Sequence, residues 1–182
     1  MGKSFAGNTV FFDVETQYLA EEVGGWNFIN RMKLAAAVIY STDDGAFHHY
    51  TEETVDDLIA KLLAADLVVG YNVLRFDYIV LSAYTDCTLH RLPTVDMLDH
   101  LYRALGLRLK LDNVAQATLG TSKSADGFQA VRWYRQGDLD KVLAYCQQDV
   151  EITRRLYEFG RERGYVQYRD KRWRLRQVPV RW

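Results

Sequence analysis

Four acidic residues and one tyrosine stand at spacings that chemistry can use. Asp13 and Glu15 sit in Thr9-Val10-Phe11-Phe12-Asp13-Val14-Glu15-Thr16, where β-branched and aromatic residues surround a pair of carboxylates. The composition predicts a buried strand, and residues two apart on a strand point to the same face. Like charges held that close repel unless something positive neutralises them, and hard divalent ions prefer carboxylate oxygens. The same pair at a strand end emerging into solvent needs no ion.

Asp77 closes the stretch Gly70-Tyr71-Asn72-Val73-Leu74-Arg75-Phe76-Asp77. Gly70 ends the apolar run Leu67-Val68-Val69, the chain turns through Asn72, and Asp77 falls in the first turn of the next helix. Sites in open α/β sheets gather beyond such strand ends, although an acid there also suits the helix dipole. Tyr145 and Asp149 belong to Tyr145-Cys146-Gln147-Gln148-Asp149, and a spacing of four puts them on one helix face. Leu139, Val142, Leu143, Cys146 and Val150 form the apolar stripe beside them. A carboxylate next to that stripe requires a partner or a cation. Read alone, the tyrosine is better explained as core packing.

The elements that must position these residues follow from pattern. After the first strand comes a linker over residues 17–31, with Gly24-Gly25-Trp26 inside it. A second apolar strand follows over 33–40, then the turn Asp43-Asp44-Gly45 and a third strand over 46–50. These make an antiparallel meander with the first strand in the interior. His48 and His49 face opposite sides of the third strand and are assigned to its surface and edge. Thr54 is placed as the cap of a helix whose apolar face is Leu58, Ile59, Leu62 and Leu63. A short buried strand at 67–70, a helix over 76–83 and a strand over 92–95 continue as β-α-β, with Asp96 as the next helix cap. Helices over 111–115 and 129–134 and a long one from Asp138 to residue 159 complete an α/β fold: a mixed five-stranded sheet flanked by helices.

Composition bounds the rest. A chain of 182 residues with 48 % hydrophobic content, 2 prolines and 12 glycines is one compact domain, not a disordered or fibrous repeat. Nothing resembles a signal peptide or a membrane span, so a cytoplasmic protein is expected. Cys87 and Cys146 lie in helical-looking segments and read as reduced thiols, with a bridge between them left open. Residues 154–182 hold 10 of the 23 Lys and Arg but 3 of the 24 acids, a local balance of +7 against −8 elsewhere. An acidic body with a basic end suits metal in one place and phosphates nearby, or an ordinary salt-bridged surface.

In order, Asp13-x-Glu15, Asn72-x-x-x-Phe76-Asp77 and Tyr145-x-x-x-Asp149 resemble the three motifs of DEDDy-type 3′–5′ exonucleases of the ribonuclease H-like fold. The likeness covers roughly residues 9–157. It is nearest to proofreading domains of family B DNA polymerases and to small bacterial exonuclease domains found with helicases. Phe12-Asp13-Val14-Glu15-Thr16 and Gly70-Tyr71-Asn72 look most like the polymerase versions. The resemblance implies that Asp13, Glu15, Asp77 and Asp149 hold two divalent ions, Mg2+ or Mn2+, at the scissile phosphate. It gives Tyr145 the task of orienting the attacking water, and Asn72 and Thr16 contacts with substrate. Phe76 is expected to pack in the core.

The ending departs from a bare exonuclease domain. Residues 161–182 are read as a basic, aromatic extension packed on the domain formed by residues 1–160. Arg172 and Arg174 alternate with Trp173 and Leu175 as on a half-buried ribbon that contacts phosphates or is merely solvated. Lys123, the one basic residue between Gly120 and Gly127, is a further substrate contact. The function expected is metal-dependent 3′–5′ hydrolysis of single-stranded DNA or RNA, in the service of DNA repair and beside a helicase or polymerase partner. The alternative is a nucleic-acid-binding or scaffolding module, catalytically weak, acting beside the same partners.

Overall fold

The computed structural model describes residues 7–121 and 127–182. Its elements in chain order are β1 (Thr9–Thr16), β2 (Leu34–Ser41), β3 (Ala46–Tyr50), α1 (Val55–Leu63), β4 (Leu67–Gly70), α2 (Asp77–Leu81), β5 (Thr94–Asp96) and α3 (Met97–Leu105). Then follow α4 (Leu111–Leu119), α5 (Gly127–Arg135), α6 (Leu139–Arg163), β6 (Tyr165–Arg169) and β7 (Leu175–Pro179). Five strands form the expected mixed sheet in the order β3-β2-β1-β4-β5, and β6 and β7 form a separate two-stranded one. Strand β1 is central, antiparallel to β2 and parallel to β4, while β4 and β5 are parallel.

This topology explains why the acids end up together. On β1, Val10, Phe12 and Val14 enter the core shared with Leu58 and Leu62 of α1 and Tyr78 and Leu81 of α2. Phe11 enters the opposite core, with Cys146, Val150 and Tyr157 of α6. Period-two alternation therefore sends Asp13 and Glu15 to the α6 side of the sheet. The parallel strands β4 and β5 stop at Gly70 and Asp96, which are paired across the ladder, and β1 runs past them to Thr16. Between Glu15 and Thr16 the β1–β2 register slips by a residue, a bulge of the kind that bends a strand and re-aims side chains near sites.

Phe12 is fully buried and stacks on Tyr78 with ring centroids 5.8 Å apart. Helix α6 ends at Gly164, whose φ of 75° is the left-handed conformation glycine adopts without penalty. A side chain at Gly160 would run into the indole of Trp182, which packs there and donates from Nε1 to Tyr157 O over 3.0 Å. The β6–β7 hairpin is held on its inner side by buried Val166, Tyr168, Val178 and Val180.

Three local expectations change. Cys87 is exposed and lies in the loop after α2, where the five-residue helix has already ended, and both cysteines are free. Thr54 precedes α1 but gives it no side-chain cap; its hydroxyl accepts instead from Thr51 N–H at 3.0 Å. Helix α6 continues a turn beyond residue 159, because Gly160 makes room for Trp182 and does not break it. Among the described residues no helix is long and apolar enough to cross a membrane.

Candidate active site

Asp13, Glu15 and Asp149 each bring a carboxylate oxygen to within 4.8 Å of the others. Two come from β1 and one from α6, so only the docking of that helix on the sheet closes the cluster. Glu15 and Asp149 are buried and Asp13 is partly so. Three carboxylates with so little water around them repel strongly, and their all-oxygen donor set is the kind hard divalent cations take. Oδ1 of Asp149 is buried without a hydrogen-bond donor, although the carboxylate as a whole is held by the Tyr145 hydroxyl. A hard divalent cation fits this donor set.

Asp77 lines the same cleft but stands just outside that cluster. It is the first residue of α2, 2 % exposed, and its Oδ1 accepts from Val14 N–H at 3.0 Å. Burial, then the charge of Asp13, pushes its carboxyl well above the ordinary carboxylate range. Tyr145 lies one turn before Asp149 and is also buried. Burial first, then the carboxylates of Asp149, Glu15 and Asp13, raise its hydroxyl far above that of a free tyrosine, so it stays protonated. The ring meets Trp133 of α5 edge-on at 6.3 Å. Cys146, between the two, donates from Sγ to Asp13 O at 3.2 Å and sits 3.7 Å from Asp13 Oδ2. Burial and then Asp13 raise this thiol, so a neutral S–H braces the strand beneath the acids.

Asn72 forms the corner that leads from β4 to Asp77. Its φ of 75° is left-handed, a conformation asparagine tolerates better than most residues. Gly70 permits the corner: a Cβ there would collide with the side chain of Val73 and lie 3.3 Å from Phe12 O. Asp96 holds both sides. It caps α3 as expected, accepting from Leu98 and Asp99 N–H at 3.0 and 3.2 Å. It also accepts from Asn72 N–H at 2.8 Å and Leu74 N–H at 3.0 Å, which the sequence did not reveal.

The cleft has two connected parts, of about 1080 Å³ and 680 Å³, both bordered by Asp13, Asn72, Tyr145 and Asp149. Thr16 borders the smaller part, with its hydroxyl donating to Tyr18 O at 3.0 Å. Phe76 borders it too, half in the core against Trp26. Trp26 and Phe128, 70 % and 59 % exposed, bring aromatic surface to the same rim. Arg108 and Lys110 border the larger part from the loop between α3 and α4. Sequence reasoning passed over these last four, though the alternating Leu107-Arg108-Leu109-Lys110 before a helix was a usable signal.

Of the remaining candidates, Arg172 and Arg174 are not brought to the acids. Lys123 lies outside the described residues. Arg172 and Arg174 sit in the β6–β7 turn and border neither part of the cleft. Asp170 accepts Arg172 N–H at 2.8 Å and pairs with the Arg174 guanidinium at 2.9 Å. His48 and His49 are on the edge strand β3, where His48 meets Asp44 and His49 reaches Gln147 of α6.

Residues 10–159 match the RNase H superfamily. A family B DNA polymerase from the hyperthermophilic archaeon Pyrobaculum calidifontis shares the fold, with a TM-score of 0.62 and 16 % identity. That likeness covers 89 % of this chain but 25 % of the polymerase, so the chain spans a quarter of its length. No curated protein matches.

Proposed function

We propose that the chain, which belongs to the RNase H superfamily, is a metal-dependent 3′–5′ exonuclease that hydrolyses single-stranded DNA or RNA from its 3′ end. One observation carries this reading: acids from β1 and α6 converge within 4.8 Å in a cleft that Asp77 and Tyr145 also border. Asp13, Glu15, Asp77 and Asp149 would hold two divalent cations, Mg2+ or Mn2+. Bound there, such ions supply charge neutralisation at the scissile phosphate and a water made acidic enough to attack it.

The chain's own groups do the positioning. The protonated Tyr145 hydroxyl, which donates to Asp149, has a lone pair that accepts from the attacking water and orients it; it is not a base at neutral pH. Asn72, fixed by Asp96 and Arg108, presents its amide to the terminal sugar or phosphate. Trp26 and Phe128 offer aromatic faces to the terminal bases, contacts that tolerate any sequence. A helicase or polymerase partner is consistent with a single-strand substrate, which such partners expose.

The test is purified protein with Mg2+ or Mn2+ on end-labelled single-stranded DNA and RNA. Stepwise release of nucleoside 5′-monophosphates is expected, and a strand blocked at its 3′ end should persist while one blocked at its 5′ end disappears. Cutting of circular single strands as fast as linear ones would overturn the reading. Tight binding without metal-dependent release would favour the non-cleaving module.

A further inference from the structure

We infer that single-stranded nucleic acid leaves the acid cleft along a groove walled by Arg108 and Lys110 and comes to rest on the indole of Trp173, so that the β6–β7 hairpin holds the upstream part of the strand. The inference rests on the exonuclease reading for its direction and extends it to a surface remote from the acids. Arg108, Leu109 and Lys110 border the 1080 Å³ cleft on one side. On their other side they border a cavity of about 280 Å³ shared with Arg169 and Trp173. The two spaces thus meet across one short stretch that carries Arg108 and Lys110, with Asp112 bordering both spaces behind them.

Both ends of the path are fixed before any ligand arrives. Tyr71 donates from its hydroxyl to Leu109 O at 2.7 Å, and Arg108 Nη2 donates to Asn72 Oδ1 at 2.7 Å. That bond uses one of the five donors of an exposed guanidinium. The hairpin is tied to α4 by Asn113, which bonds Arg169 N–H and C=O at 2.8 and 3.0 Å. Thr118 does the same with Gln167 at 2.8 and 3.0 Å.

Trp173 itself is unusual in two independent ways. It is 75 % exposed, and its φ of 60° is a left-handed conformation that bulky residues rarely take. The turn enforces this: Trp173 N–H donates to Asp170 O at 2.8 Å and its carbonyl accepts from Arg169 Nη1 at 3.2 Å. Asp170 in turn engages Arg174 through Nε and Nη2, both at 2.9 Å, and Arg176 through Nε at 3.1 Å, which fixes the side chains that follow the ring. A strained backbone that displays a large ring to solvent is a feature that surrounding structure maintains for use. Basic residues tracking a backbone and a ring for a base are the two components of a sequence-tolerant single-strand path.

Binding of fluorescently labelled single strands, followed by anisotropy in EDTA so that nothing is cut, tests this on the full chain. Affinity should rise from a trinucleotide to a dodecanucleotide, for DNA and RNA alike. Trp173→Ala should lose most of that gain, roughly tenfold, with the salt dependence unchanged. Arg108→Ala and Lys110→Ala should each reduce the slope of log K against log salt by about 0.7. Trp173→Phe should retain most of the gain. Trp173→Gly should bind as weakly as the alanine variant while melting no lower than wild type, because glycine accepts the turn's φ without strain. Arg172→Ala, in the same turn but bordering none of these spaces, is the comparison. Wild-type affinity in Trp173→Ala, or an equal loss in Arg172→Ala, would overturn the inference. Degradation of single strands with no such length effect would end the groove but leave the exonuclease; length-dependent binding without cleavage would do the reverse.

Discussion

Asp77 Oδ1 accepts a hydrogen bond from Val14 N–H at 3.0 Å, which ties the start of α2 to the one residue lying between Asp13 and Glu15. Elements far apart in sequence are thereby locked at the point where three of the four acids sit. Asparagine at this position keeps an acceptor for Val14 and removes a charge that burial and Asp13 both oppose. Asp77→Asn should therefore melt higher than wild type in metal-free buffer. Its cleavage rate should fall by more than the roughly 10- to 100-fold typical of losing a group behind a metal ligand. Calorimetry in EDTA beside a nucleotide-release assay checks both; a variant less stable but fully active would refute the role assigned to Asp77.

Asp13→Ala and Asp149→Ala should each abolish cleavage and leave the protein folded, since either removes part of the 4.8 Å cluster. The metal itself gives a second readout. An ion that binds only the folded protein at about a hundred times its dissociation constant adds roughly 2.7 kcal/mol of stability. Mn2+ should thus raise the wild-type Tm measurably and leave that of Asp149→Ala nearly unmoved. Equal shifts in both proteins would place the ion elsewhere.

The legible part of this molecule was the part governed by short periods. Alternation put Asp13 and Glu15 on one strand face, and helical spacing put Tyr145 beside Asp149. Gly70 and Asn72 marked the corner before Asp77. What the sequence hid depends on contacts between distant residues. Asp96 read as an ordinary helix cap, yet it also binds Asn72 and Leu74, 24 and 22 residues away. Arg174 looked unpaired because Asp170 looked like one more surface acid, yet its guanidinium is held there. Cys87 reads as helical although the helix expected before it closes at residue 83, and α2 ends earlier still, at Leu81.

Asp96 should matter more than a capping residue usually does. Four N–H groups converge on its carboxylate, two from the α3 terminus and two from the Asn72 corner. Losing a cap costs about 1 kcal/mol, and the two part-buried corner donors left without it add roughly 1–3 kcal/mol between them. Asp96→Ala should lower stability by about 2–4 kcal/mol in urea titration. It should also raise KM for short single strands, because the corner that carries Asn72 loosens. A loss confined to stability would make Asp96 a cap and nothing more.

Asp170 supplies a pH test of the hairpin. Partial burial works against its charge. Hydrogen bonds from Arg174, Arg176 and the Arg172 N–H outweigh that and hold its carboxyl well below the usual carboxylate range. A depressed folded value means the stabilisation is present above the ordinary carboxylate pKa, about 3.9, and is lost as pH falls below it. Asp170→Asn should therefore melt lower than wild type at neutral pH, with the gap closing as pH falls below about 4. Melting curves of the two proteins across that range check the sign. A gap independent of pH would show that packing, not charge, holds the turn.

Tyr145 separates positioning from proton transfer. Its hydroxyl is pushed far up by burial and by the carboxylates of Asp149, Glu15 and Asp13, so no phenolate is available under assay conditions. Tyr145→Phe keeps the ring against Trp133 and all four acids, and removes the hydroxyl with its bond to Asp149 and its contact with the water. Loss of an orienting contact of that kind lowers a rate by roughly tenfold to a thousandfold. The variant should consequently be slow but measurable in single turnover, whereas Asp149→Ala is silent. Affinity for single strands and the Mn2+-induced rise in Tm should barely change. The pH–rate profile is the decisive readout. If the tyrosine only orients water, the Tyr145→Phe profile has the same shape as wild type, displaced downward at every pH. A limb present in wild type and missing in the variant would make the hydroxyl a proton carrier, and a fully active variant would return it to core packing.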